Sequence, residues 1–168
     1  MIGIKGQPVG LSACLKSTEG LSRSGFLRDH PEPIFLIEPF TAPDDTGFAT
    51  LTGVKTTGNE DLVVVIKKRP GANAFAHMIT IGRAGNNDVV IRYRGISKFH
   101  AYLEVGEGGS PRELVDAGST NGTFVRGVEV QSHGDAVRLE AGTEVVLSDL
   151  RLCYYDASSF FDYLNARR

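Results

Sequence analysis

From Leu62 onward the sequence is a succession of short apolar and β-branched runs, each cut off by a cluster of Gly, Pro, Asn or Asp. LVVVIKK (62–68), HMITIGR (77–83), VVI (89–91), HAYLEV (100–105), RELVDA (112–117), TFVRG (123–127), AVRL (136–139), TEVVLS (143–148) and RLCYYD (151–156) all read as strands. In HAYLEV, Ala101, Leu103 and Val105 alternate on one face, the period of a half-buried strand. RPGANAFA, AGNND (84–88), GEGGSP (106–111), AG (141–142) and DL (149–150) are the intervening turns and loops. RYRGISKF (92–99) is polar and irregular. Many short strands at close spacing predict an all-β fold, a sandwich or a barrel. The 20 glycines and the absence of tryptophan fit a turn-rich β protein. No internal repeat of roughly 20–50 residues interrupts that reading.

The two ends behave differently. Residues 1 to about 30 mix Gly, Ser and charge with scattered apolar positions and read as a loose or partly ordered arm. PEPIFLIEPF (31–40) is apolar but fenced by Pro31, Pro33 and Pro39, which points to an edge strand or an extended packing segment. TAPDDTG (41–47) is a turn cluster and FATLTGVKTT (48–57) a weak strand pattern. In DASSFFDYLNARR (156–168) the period changes: Phe160, Phe161 and Leu164 share a helical face. Ser158 or Ser159 is placed to cap that helix, and Arg167 and Arg168 lie near the negative end of its dipole. The expected organisation is an N-terminal extension over 1–60, holding an arm or extra strands, a β domain over 61–156, and a short helix over 157–168.

Composition removes several function classes. A formal net charge of −2 gives no general pull toward nucleic acid or a membrane surface, so any anion site has to be local. Cys14 and Cys153 are the only cysteines and form no CxxC pair, so neither a zinc site nor a disulfide framework is expected. The four histidines, His30, His77, His100 and His133, lack ligand spacing, and no metal or cofactor is expected. GxSxG, HExxH, Walker and kinase motifs are absent, so no enzyme is expected. The N-terminal stretch lacks the apolar run of a signal peptide, and nothing approaches the ~20 apolar residues of a membrane span. The expected setting is the cytoplasm.

Three loops concentrate the polar side chains: 83–88, 92–99 and 117–123. Arg83 offers a planar guanidinium that grips an oxyanion through two parallel bonds. Ser97 adds a hydroxyl donor and Lys98 a second cation. Thr120 and Asn121 add a hydroxyl and an amide that both donate and accept. Two cations, two hydroxyls and an amide, without a paired nucleophile and base, make an anion-recognition set. The anion could be a phosphate carried by a peptide.

The order of these pieces resembles the forkhead-associated (FHA) domain. Matching in sequence are Gly82-Arg83, Asn87-Asp88-Val89-Val90, Ser97-Lys98-Phe99-His100-Ala101 and the run from Asp116 to Val125. LEAGTEVVLSDLRLCYY (139–155) is similar to the family's closing strands, and the likeness covers roughly 62–156. It implies a β-sandwich of two largely antiparallel sheets, about eleven strands, whose loops at one end bind phosphothreonine in an extended peptide. Carried over by position, Arg83 and Ser97 contact the phosphate and Lys98 is a further phosphate or peptide contact. Thr120 lies beside the phosphate and the threonine methyl, and Asn121 bonds the peptide main chain. Gly82, His100 and Gly122 support the loops. The implied partner is a phosphothreonine protein or peptide, such as a Ser/Thr kinase or its substrate, with no nucleic acid and no membrane.

Two positions depart from the pattern. Arg126 stands where the family often has asparagine, past the binding loop. Gly95 stands where a side chain often reads the peptide beyond the phosphothreonine, and its neighbours Arg92 and Arg94 would favour acidic peptides if they face the site. His133, in QSHGDA (131–136), reads as a solvated loop residue. A second reading is a phospho-independent interaction or self-assembly module, motivated by residues 1–60. A related idea is that Thr56 or Thr57, once phosphorylated, docks into the site of the same or a neighbouring chain.

Overall fold

The computed structural model describes residues 8–39, 59–106 and 111–168. The turn expected at 41–47, the weak strand at 48–57 with Thr56 and Thr57, and most of the 106–111 turn lie outside the described residues.

Two apolar runs carry the larger sheet. Ile34–Ile37 (β2) and Leu62–Val65 (β3) are buried at every position. Strands covered on both faces read as continuous apolar runs, without polar alternation. They pair antiparallel, Ile34 opposite Val65 and Ile37 opposite Leu62. A short strand at Val9–Gly10 (β1) adds to the outer side of β3. On the other side β2 pairs with Leu150–Tyr155 (β12), which in turn pairs with Thr143–Leu147 (β11). Thr123–Val125 (β8) and Val128–Glu129 (β9) finish the sheet, whose order is β1-β3-β2-β12-β11-β8-β9. The smaller sheet contains Met78–Gly82 (β4), Val89–Val90 (β5), Ala101–Glu104 (β6), Glu113–Asp116 (β7) and Val137–Arg138 (β10), in the order β10-β7-β6-β4-β5. Only the β4–β5 pair is parallel among the named strands.

β2 corrects the sequence expectation. It is an interior strand, hydrogen-bonded to both β3 and β12, and not an edge. The reason lies in where the prolines stand. Pro33 precedes the paired stretch and Pro39 follows it, so no ladder N–H is missing between Ile34 and Ile37. Pro33 even helps, since its carbonyl accepts the Ile66 N–H at 2.8 Å.

The core lies on both faces of the larger sheet. Phe35, Ile37, Leu62 and Val64 point between the sheets, against Ile79, Ile81, Leu103, Leu114, Val145 and Leu147. Ile34, Leu36, Val63 and Val65 point outward and are covered by three helices, Leu11–Ser17 (α1), Arg23–Asp29 (α2) and Ala157–Asn165 (α3). Residues 11–29 are therefore largely helical and packed, where the sequence suggested a loose or partly ordered arm. Phe26 of α2 is 1% exposed and its ring lies 5.3 Å from that of Phe161 and 6.4 Å from that of Phe160. Burying a phenylalanine this way contributes about 1.5–3 kcal/mol. Ser22 caps α2 through its hydroxyl, which accepts the Gly25 N–H. Phe160, Phe161 and Leu164 are all buried, as the helical period required. The N-cap of α3 is Asp156, which accepts the Ser159 N–H at 2.8 Å; neither Ser158 nor Ser159 is the cap.

β8 and β9 form a hairpin the sequence did not predict. Arg126 and Gly127 connect them with φ of 50° and 76°. A two-residue turn with both φ positive is the type I′ hairpin, which favours Asn-Gly. The arginine adopts the left-handed region here without the local polar help that asparagine brings.

Candidate functional site

The loops after β4, before β6 and between β7 and β8 meet at one end of the sandwich, and each is pinned by a specific set of bonds. The β4 pairing runs on past its last residue: Arg83 N–H donates to Ser97 O at 2.9 Å and Ala84 N–H to Lys98 O at 3.2 Å. Gly82 makes this approach feasible, because a Cβ there would collide with the Lys98 carbonyl and lie 2.8 Å from Asn87 Nδ2. The buried Asn87 amide ties the first loop to the second, donating to Ala84 O at 2.9 Å and Lys98 O at 2.6 Å. Next to it, Asp88 is fully buried and receives Lys68 Nζ, Arg69 N–H, Thr80 N–H and Asn73 Nδ2, at 2.9 to 3.2 Å. Burial pushes its carboxyl up, but those donors outweigh it and hold it below the usual range.

The loop 117–123 is organised by one buried carboxylate. Asp116, 1% exposed, accepts Gly118 N–H at 2.9 Å and Ser119 N–H at 3.0 Å, an Asx-type turn. It also accepts the hydroxyls of Ser119 and Thr123, both at 2.6 Å, and of Ser132 at 2.8 Å. Burial alone would raise its pKa, yet the three hydroxyls and the Ser119 N–H bring it down to about 2. Ser119 Oγ in turn accepts Gly122 N–H at 3.1 Å. Gly118 and Gly122 have φ of 81° and 85°, values that a Cβ makes costly. The 131–134 connection is part of this brace, since His133 N–H donates to Asp116 O at 2.9 Å. His133 itself is exposed, and its ring lies 3.0 Å from where a Cβ at Gly118 would be.

His100 joins the second loop to the third. Its Nδ1 accepts Ser97 N–H at 3.1 Å. That fixes the tautomer, so Nε2 carries the proton and donates to Gly122 O at 3.2 Å. Burial pushes this imidazole's pKa down, which keeps it neutral in the arrangement its two partners demand.

On this frame stand the five residues expected at the site. Arg83 is exposed, and its Nε donates to Ile96 O at 3.1 Å. That bond orients the guanidinium while its two terminal nitrogens have no acceptor among the described residues. Ser97 Oγ accepts Thr120 N–H at 3.0 Å, and its own proton has only a long 3.4 Å approach to Thr120 Oγ1. Arg83, Ser97 and Thr120 are thus brought together through the backbone and through each other. Asn121 is exposed, with Nδ2 donating to Gly95 O at 3.0 Å, which leaves Oδ1 and the second amide hydrogen to a ligand. Lys98 is exposed, and its ammonium makes no hydrogen bond or ion pair with the described residues; its carbonyl belongs to the frame. No group of His, Cys, Asp and Glu among the described residues could hold a metal ion. The array can bind an anion with oriented donors beside an amide suited to a peptide backbone.

The sequence reading overlooked the organising role of Asp116 and the bridging amide of Asn87. Asp116 carried a usable signal: an aspartate followed by glycine at the second position and serine at the third is an Asx-turn signature. Ser132 had none, because only the fold brings it to Asp116.

The FHA domain family model matches residues 79–148. An oxoglutarate dehydrogenase inhibitor of Corynebacterium glutamicum is 32% identical over 104 residues, which is 54% of this chain and 71% of that protein. The chain belongs to the FHA domain family. An ABC transporter ATP-binding/permease protein of Mycobacterium tuberculosis is 39% identical over 80 residues, 48% of this chain but only 9% of that protein. Among solved structures, an engineered FHA with a Myc-pTBD peptide superposes with a TM-score of 0.51 at 18% identity, covering 80% of this chain and 98% of that one. This likeness supports the FHA fold. No described helix is long and apolar enough to cross a membrane.

Proposed function

We propose that this FHA chain is a non-catalytic phosphothreonine reader, an adaptor that joins phosphorylated proteins in cytoplasmic Ser/Thr kinase signalling. Arg83 and Ser97 hold the phosphate, Lys98 adds charge, Thr120 lies against phosphate and methyl, and Asn121 grips the peptide main chain. The observation that carries the reading is the Arg83–Ser97–Thr120 array: a guanidinium fixed through Nε with its outer edge open, beside a serine hydroxyl locked by the Thr120 N–H. A phosphothreonine brings about −1.5 to −2 charge and three acceptor oxygens to such donors. Charge-assisted bonds are roughly twice as strong as neutral ones, so the phosphate decides affinity while Asn121 adds sequence-tolerant grip. The described part of residues 1–60 packs on the protein's own larger sheet, so the phosphothreonine reading is the one put forward.

Isothermal titration with matched phosphorylated and unphosphorylated peptides tests the proposal. Only the phosphorylated form should bind, and Arg83→Ala should weaken it by at least ~10-fold, the loss expected for a charged hydrogen-bonded contact. Asn121→Ala should weaken binding while the thermal unfolding curve stays in place. Equal binding of both peptides, or an Arg83→Ala protein that binds normally, overturns it.

A further inference from the structure

What lies beyond Asn121 is determined by a glycine. Gly95, whose carbonyl anchors the Asn121 amide, faces filled space: a Cβ there would lie 2.6 Å from Ser148 Oγ and 2.9 Å from Tyr93 Cε1. It would also lie 3.3 Å from Asp149 Oδ1. The missing side chain is therefore replaced by the turn between β11 and β12, and the group that this turn presents is a carboxylate. Asp149 is exposed, and its position is fixed by neutral hydroxyls, Tyr93 OH on Oδ2 at 2.9 Å and Ser148 Oγ on Oδ1 at 3.3 Å. Hydroxyls orient a carboxylate without neutralising it.

Three cations of the site lie on the other side. Arg83 and Lys98 belong to the phosphate loops, and Arg92 Nη2 stands 3.5 Å from where a Cβ at Gly85 would be, on the loop that carries Arg83. The rim thus has cations at the phosphate end and a carboxylate past Asn121. We propose that Asp149 makes the site select phosphothreonine peptides with a lysine or arginine on the flank that runs over Asn121 and Gly95. Of the two arginines that would favour an acidic peptide if they faced that flank, Arg92 lies by Gly85 instead. The proposal rests on the phosphopeptide reading of the site and adds the class of peptide to it. Exposed ion pairs are modest, so the selection is a few-fold effect and weakens with salt.

Fluorescence anisotropy with a phosphothreonine peptide of otherwise neutral sequence tests it, stepping one Lys or one Glu through the four positions on each side. On one flank, at one or two positions, the Lys peptide should bind roughly three- to tenfold tighter than the Glu peptide at low salt. Asp149→Asn should bring that ratio close to one. A scan with no position favouring Lys on either flank, or a preference that persists in Asp149→Asn, overturns the inference. The neutral peptide, compared with and without its phosphate, separates the two failures. If both forms bind alike, the phosphothreonine reading itself fails and the selectivity falls with it.

Discussion

Ser119 Oγ donates to the Asp116 carboxylate at 2.6 Å and accepts the Gly122 N–H at 3.1 Å, so one hydroxyl spans the loop that carries Thr120 and Asn121. A plain hairpin would need only Asn121-Gly122. The serine is there to tie the turn to a buried charge.

Removing that charge should be costly. In Asp116→Asn, an amide NH2 would face donors that the carboxylate now accepts, and unsatisfied buried groups cost about 1–3 kcal/mol each. We expect a loss of roughly 2–4 kcal/mol by urea unfolding, and about 1 kcal/mol for Ser119→Ala. The charged state also makes stability depend on acid. With a folded pKa of about 2 against an ordinary 3.8, Asp116 contributes roughly 2 kcal/mol above pH 4, lost as pH falls through that window. Asp116→Asn should flatten that part of the acid-unfolding curve.

His100 gives the opposite kind of group the same sign. Its folded pKa lies below 6.5, so the unfolded chain takes up a proton first as pH falls. Stability from the neutral ring is full above the unfolded value and declines as pH drops from there through the folded one. Protonation also places a second donor against the Ser97 N–H. A drop in phosphopeptide affinity should therefore accompany the titration of this imidazole, followed by NMR between pH 7 and pH 5. A midpoint above 6.5 contradicts it.

Phe26 tests whether the N-terminal helices share the fold's cooperativity. Phe26→Ala should cost about 3–5 kcal/mol, the range for emptying a buried phenylalanine site. A loss under 1 kcal/mol would mean α2 opens independently of the sheet.

Arg126→Asn should stabilise the protein. Asparagine accepts the left-handed conformation at Arg126 more readily, and the substitution gives up one hydrogen bond, from Arg126 Nη2 to Thr143 Oγ1 at 3.1 Å. We expect a gain of about 0.5 kcal/mol and a Tm higher by ~1–2 °C, measured by calorimetry.

The candidate site was legible as a cluster because its chemistry stood out locally: polar side chains gathered at strand ends, in an order that matches a known family. The strands of the smaller sheet were legible for a similar reason, since Ala101 and Leu103 alternate with half-exposed Tyr102 and exposed Glu104. Misreadings came where meaning depends on partners distant in sequence. The prolines around Ile34–Ile37 suggested an edge because nothing local shows that β3 and β12 arrive on both sides. β9 has two exposed residues and no apolar signature. Gly95 looked like a vacancy until the fold placed Ser148 and Asp149 against it.

The position of β2 also governs when the protein can be completed during synthesis. Its partners are β3, made next among the described strands, and β12, made last. While the chain emerges, β2 and β3 can pair, but the other edge of β2 stays open until Tyr155 has left the ribosome. The loops that form the site are finished earlier, between β4 and β8, yet β8 is held by β11, which also comes late. A nascent chain thus has the strands that carry Arg83 and Ser97 in the smaller sheet before β11 arrives to hold β8, and the loop bearing Asn121 is the last part of the candidate site to be fixed.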